Sequence, residues 1–223
     1  MSVSTVHQAS KERVEIPGPA GAIEVLLEAP ARPPGQSTGP LCVICHPHPQ
    51  YGGTLDNKVV YTLARAATEL GALAVRFNFR GVGRSGGQFD QGVGEVDDLL
   101  AVVAWARARH PGWALHLAGF SFGSAVALRG HVAAAAASLL LVAPPAGMGY
   151  LDEAAVPQVP WRVIHGSRDE LIALDVVQGW LASVADPAPL TVLDDADHFF
   201  HGRLTPLREA ATAFWRPLVA PAP

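Results

Sequence analysis

The stretch Leu115-His116-Leu117-Ala118-Gly119-Phe120-Ser121-Phe122-Gly123 decides how this chain folds. Its apolar run, with Ala114, Leu115, Leu117 and Ala118, reads as a strand. It ends in Gly119–Gly123, which fits G-x-S-x-G. A small-residue apolar segment, Ser124-Ala125-Val126-Ala127-Leu128, follows as a helix. The local order is therefore strand, sharp turn, helix. A nucleophilic serine needs that order, because a tight strand-to-helix turn lifts its Oγ clear of the sheet in a strained backbone conformation. The strain crowds the neighbours two residues on either side, which gives glycines 119 and 123 a steric reason. The turn also opens a helix, so the amide of Phe122 lacks a helical partner and is free to face an oxyanion. A Gly/Ser turn entering a helix would share the pentapeptide; the strand–turn–helix setting is what singles out Ser121.

Outward from this elbow, strands and helices alternate. Upstream, Val14–Ile16 and Ala22–Leu27 read as short strands joined by the turn Pro17–Gly21. Ala29–Pro40 is a Pro/Gly/Ser-rich loop. Leu41–Cys45 is an apolar strand, Asn57–Leu70 a helix closed by Gly71, and Leu73–Phe79 the next strand. Arg80–Asp90 is a glycine-rich loop and Glu95–Ala108 a helix ended by Pro111-Gly112. Downstream, Ala137–Val142, Trp161–Ile164 and Leu190–Leu193 read as strands, with a helix over Leu174–Val184. Pro144–Pro160 has room for a loop and a short helix, not for a lid domain. A closing helix spans Thr205–Arg216, with Pro206 in its first turn and Pro217 as its stop, and the tail with Pro221 and Pro223 should fray. Strands alternating with helices after an initial hairpin predict a single α/β domain over residues 1–223, its mainly parallel sheet covered on both faces.

A serine hydroxyl needs a base to take its proton, and the base needs a partner to fix its tautomer. In this fold class the acid and then the histidine follow at the carboxyl ends of later strands. Asp169 lies in His165-Gly166-Ser167-Arg168-Asp169, past the Trp161–Ile164 strand, with Glu170 and Asp175 as competitors. His198 lies in Asp194-Asp195-Ala196-Asp197-His198-Phe199-Phe200, past the last strand, with His201 as competitor. A second oxyanion donor should come from the loop His46–Gly53. Pro47 and Pro49 have no amide proton, so His48 is favoured and Gln50 comes next, while the His46 ring braces the loop.

The chain has 223 residues, is 49% hydrophobic and 16% charged, which argues for a packed core and against disorder. A net charge of −4 argues against nucleic acid as a partner. No run of ~18 apolar residues suggests a membrane span, and Met1–Arg13 has no hydrophobic signal core, so a cytoplasmic location is the expectation. Cys42 and Cys45 are spaced C-x-x-C inside a strand. Residues three apart on a strand point to opposite faces, so they read as core thiols and not as a redox pair. Gly81–Gly86 matches G-x-G-x-x-G, but loop rather than helix follows it, and the acids Glu95, Asp97 and Asp98 lie on a helix; a turn under the active-site floor is the better reading. His46, His48, His198 and His201 could gather round zinc in principle, but two of them are needed elsewhere and no H-E-x-x-H helix is present; neither metal nor cofactor is expected. Arg80 and Arg84 read as ion-paired loop anchors.

Taken together, His46-Pro47-His48-Pro49 with Gly52-Gly53, Phe77–Ser85, Gly119–Gly123, His165–Asp169 and Asp195–Phe200 resemble an α/β-hydrolase. Within that superfamily the chain looks like the small, lidless serine hydrolases of the dienelactone-hydrolase-like and bacterial carboxylesterase group. The resemblance spans roughly residues 41–202 in the family's order. It implies a Ser121–His198–Asp169 triad and carboxylic-ester hydrolysis without a metal. Dienelactone hydrolases proper use cysteine where this chain has Ser121, which argues against a lactone-diene substrate. A shallow pocket lined by some of Tyr51, Phe120, Phe122, Phe199 and Phe200 would suit short or flexible acyl esters. The expected partner is a small-molecule ester, with the chain a monomer or homodimer. A thioesterase or peptidase with the same triad, and a non-catalytic binding protein, are the competing classes.

Overall fold

The computed structural model describes residues 10–30, 39–152 and 154–219. The readings placed on residues 1–9, on most of the Ala29–Pro40 loop and on Pro221 and Pro223 lie outside the described residues. The first elements are β1 (Ser10–Gly18) and β2 (Gly21–Ala29), in register from Ser10↔Ala29 to Gly18↔Gly21. This hairpin is longer than expected. Its outer arm carries Lys11, Glu12, Arg13 and Glu15 as a charged sheet edge, so an alternating apolar pattern is missing where the backbone still pairs.

Then come β3 (Leu41–Cys45), α1 (Lys58–Glu69), β4 (Leu73–Phe77), α2 (Val93–Arg109), β5 (Leu115–Phe120) and α3 (Phe122–Gly130). The chain continues through β6 (Ser138–Val142), β7 (Trp161–Gly166), α4 (Leu174–Ser183), β8 (Leu190–Leu193) and α5 (Leu204–Val219). The eight strands form one sheet in the order β1-β2-β4-β3-β5-β6-β7-β8. Pairing is parallel from β4 through β8, and only β1 and β2 join antiparallel. The elbow strand β5 therefore sits in the middle, where both neighbours can hold it.

Side chains alternate between two cores, one on each face of the sheet. Cys42, Ile44, Ala118, Phe120, Leu140, Val142 and Ile164 face α1 and α5. Val43, Cys45, Val75, Leu117, Leu141 and Val163 face α2, α3 and α4. The two cysteines are thus free thiols on opposite faces, and burial pushes both of them up. The segment 144–160 forms turns, with no helix and no lid among its described residues. Pro217 does not stop α5. It lacks the N–H that would reach the carbonyl of Ala213, but buried Phe214, Trp215 and Val219 on either side of it hold the helical path to Val219.

β4 ends at Phe77, two residues earlier than expected, because Asn78 and Phe79 turn to other work. Asn78 Oδ1 accepts from the Leu55 amide at 2.8 Å, and its Nδ2 donates to Glu24 at 2.7 Å. The glycine-rich loop after it closes on itself, with Gly81 N donating to Gly86 O at 3.0 Å. It docks on the hairpin through Gly86 N to Ala22 O at 2.8 Å, and farther along it Phe89 packs its ring against those of His48 and Phe122. Arg80 anchors it through a two-pronged pair with buried Asp98, at 3.0 and 2.9 Å. Arg84 reaches Glu15 at 3.6 Å.

Candidate active site

Ser121 lies between β5 and α3 with φ 52° and ψ −123°, a strained conformation for a residue with a side chain. Three hydrogen bonds hold it there. Its amide donates to Val142 O on β6 at 2.8 Å, and the Ser124 amide and hydroxyl both donate to its carbonyl, at 2.8 and 2.6 Å. A Cβ at 119 would overlap the carbonyl of Gly123, and one at 123 would overlap the carbonyls of Cys45 and His46. Both glycines are therefore required, the second because the start of α3 presses on the end of β3.

His198 and Asp169 reach this hydroxyl from two other loops. His198 Nε2 stands 3.1 Å from Ser121 Oγ, and its Nδ1 stands 2.7 Å from Asp169 Oδ2. The carboxylate can only accept here, so Nδ1 carries the ring proton and Nε2 is left to accept from the serine. Asp169 Oδ1 accepts from the amides of Leu171 at 3.0 Å and Ile172 at 2.8 Å. Burial alone would push this carboxyl up. The hydrogen bonds from His198 and Ile172 and the nearby imidazoles outweigh it, and its pKa lies below the usual carboxylate range. The side chains of Ser121, His198 and Asp169 thus stand in hydrogen-bonded file at the carboxyl edge of the sheet.

The competitors serve other ends. Glu170 accepts from the His198 amide at 3.2 Å, and Asp175 holds the amide of Val176 at 2.9 Å on α4. His201 is exposed and pairs with Asp197 at 2.7 Å. His46 is fully buried and bridges two segments: its Nδ1 lies 2.6 Å from Pro47 O and its Nε2 accepts from the Phe79 amide at 3.0 Å. Burial dominates its chemistry and lowers its pKa to about 4, so the bracing ring is neutral.

At the loop after β3, the Gln50 amide is engaged by His48 Nδ1 at 3.2 Å. The amides of His48 and Phe122 have no hydrogen-bond partner among the described residues. The rings of these two residues lie 5.0 Å apart, so the β3 loop and the start of α3 meet beside Ser121. The sequence reading missed Phe89 and Tyr150, whose rings lie 4.7 and 6.2 Å from that of His48. No spacing signal joins residues so far apart in the chain. The expected lining, some of five aromatic residues, narrows to two of them. Phe120, Phe122 and Phe200 are buried in the cores: Phe120 lies under His198, with ring centres 5.2 Å apart, and only Tyr51 and Phe199 reach the surface. Strand β5 alternates faces, so Phe120 must point into the α1/α5 core, one residue before the elbow turns outward.

A family model for the alpha/beta hydrolase fold matches residues 43–163. The chain belongs to that family. This alpha/beta hydrolase also superposes on XC6422 from Xanthomonas campestris, described as an α/β serine hydrolase without a lid, with a TM-score of 0.89 and 39% identity over 98% of this chain and 99% of that one. An alpha-beta serine hydrolase homologue from Coxiella burnetii gives a TM-score of 0.85 and 41% identity over 91% and 96% of the two chains. The uncharacterized protein RP471 of Rickettsia prowazekii is 31% identical over 193 residues, 82% of this chain and 79% of that protein.

Proposed function

We propose that this protein is a serine hydrolase that cleaves small carboxylic esters through an acyl-enzyme intermediate. The observation that carries the reading is the hydrogen-bonded file from Ser121 Oγ through His198 to Asp169. Membership of the alpha/beta hydrolase family and likeness to α/β serine hydrolases support it.

His198 Nε2 takes the hydroxyl proton as Ser121 Oγ attacks the ester carbonyl. Asp169 keeps the ring in the accepting tautomer and stabilises the imidazolium. The amides of Phe122 and His48 donate to the developing oxyanion, and loss of one such donor costs ~3 kcal/mol of transition-state stabilisation. The proton then passes from His198 to the leaving alcohol as the C–O bond breaks. Water, deprotonated by the same imidazole, attacks the acyl-serine, and the acid departs as Oγ recovers its proton.

The test is hydrolysis of p-nitrophenyl acetate and butyrate by wild type and Ser121→Ala, with fluorophosphonate labelling of both. The expected result is labelling of wild type alone and loss of hydrolysis in the variant. Equal rates in the two proteins would end the reading. Matched thioester and anilide substrates then define which bond is preferred.

A further inference from the structure

His165 is fully buried at the end of β7, and esterolysis as drawn above gives it no task. Its Nε2 lies 2.9 Å from the carbonyl of Ile172. A carbonyl only accepts, so Nε2 carries the ring proton and donates it. The other ring nitrogen, Nδ1, is buried without a partner among the described residues. The same Nε2 stands 3.6 Å from Asp169 Oδ2. Burial lowers the pKa of this imidazole, with Asp169 and His198 the charged or titratable groups that act on it, so it is a neutral single donor.

Ile172 is therefore held at both ends. Its N–H donates to Asp169 Oδ1 and its C=O accepts from His165. The turn Asp169–Ile172 supplies two of the three hydrogen bonds that fix the carboxylate. It runs as irregular backbone between β7 and α4, and the His165 bond ties its far end back to a paired strand. We propose that His165 is a positioning residue: by clamping Ile172 to β7 it sets the rotation of the Asp169 carboxylate, so that Oδ2 faces His198 at hydrogen-bond distance. An unpartnered ring nitrogen in the interior is unfavourable, and a phenyl group would fill the same space without it. What the imidazole adds over phenyl is the single N–H aimed at Ile172.

The inference rests on the triad reading, so fluorophosphonate labelling of wild type comes first: no labelling means that reading has failed, not this one. Given labelling, His165→Phe keeps ring bulk and loses the donor. The expected loss of kcat/KM on p-nitrophenyl acetate is on the order of tenfold, carried by kcat, because a misaligned catalytic group costs rate before binding. A loosened carboxylate stabilises the His198 imidazolium less, so the acid limb of the pH profile should move to lower pH. His165→Gln, whose amide N–H can reach the Ile172 carbonyl, should restore both rate and limb. A His165→Phe protein that folds with kcat/KM within twofold of wild type, or with its acid limb unmoved or raised, would overturn the proposal. Should that variant not fold, 15N NMR of the wild-type imidazoles decides the matter. The clamp requires His165 as the neutral Nε2–H tautomer, and a protonated Nδ1 would refute it.

Discussion

Asp169 accepts three hydrogen bonds through two oxygens, and one of the three donors belongs to the proposed base. That division makes Asp169→Asn informative. The amide oxygen can still take the Leu171 and Ile172 amides, which turns the –NH₂ group toward His198. A donor facing Nδ1 forces the ring proton onto Nε2, where it points at Ser121 and blocks proton transfer. We expect kcat to fall by ~10³–10⁴ with little change in thermal stability, measured by ester hydrolysis beside a melting curve. An Asn variant within tenfold of wild type would place the working acid elsewhere. Ser121, Asp169 and His198 were legible in the sequence because each follows a clear apolar strand, and the chemistry dictates their residue types. His165 was not, since a histidine one residue past a strand's apolar stretch looks the same whether it clamps a turn or fills a core. Nor was Tyr150, because ring contacts between residues 48 and 150 depend on how two loops meet.

At the scale of elements, the start of α3 presses closely on the end of β3. Gly123 sits where any Cβ would strike the carbonyls of Cys45 and His46. Gly123→Ala must push the helix off the strand, which separates the Phe122 amide from the His48 loop. We expect a destabilisation of about 2–4 kcal/mol and a fall in kcat larger than any change in KM. Urea midpoints and steady-state kinetics report the two effects. Gly179→Ala on α4 is the control: its Cβ would meet nothing, so stability should hold or rise slightly. The strands read best from sequence were β3, inside the sheet, and β8, at its edge, whose ends fell where the apolar runs ended. Misreadings gathered where something other than hydropathy decides: the charged hairpin edge, Asn78 and Phe79 recruited by side-chain bonds, and a proline carried inside α5 by buried neighbours.

For the molecule as a whole, the buried imidazoles predict how stability changes with acid. His46 and His116 both have pKa values lowered to about 4, chiefly by burial. His46 uses Nε2 to accept from the Phe79 amide, so a proton there would set donor against donor. His116 on β5 bonds through Nδ1 to Ser138 on β6 at 2.8 Å, and its Nε2 is buried without a partner among the described residues. In the unfolded chain both rings titrate near ~6.5. Between pH 6.5 and pH 4 the unfolded state thus binds protons that the folded state does not, and stability must rise with pH across that window. Each histidine contributes about 3 kcal/mol that is present above the window and lost on descending through it. Asp169 and Glu24, whose pKa values lie below the usual carboxylate range, extend the loss to lower pH, where the unfolded carboxylates protonate first. Urea midpoints at pH 7, 5.5 and 4.5 should fall in that order. His116→Asn keeps a polar group for Ser138 but does not titrate, so its midpoint should fall less steeply than that of wild type. Parallel slopes for the two proteins would mean that His116 takes up its proton in the folded state as readily as in the unfolded chain.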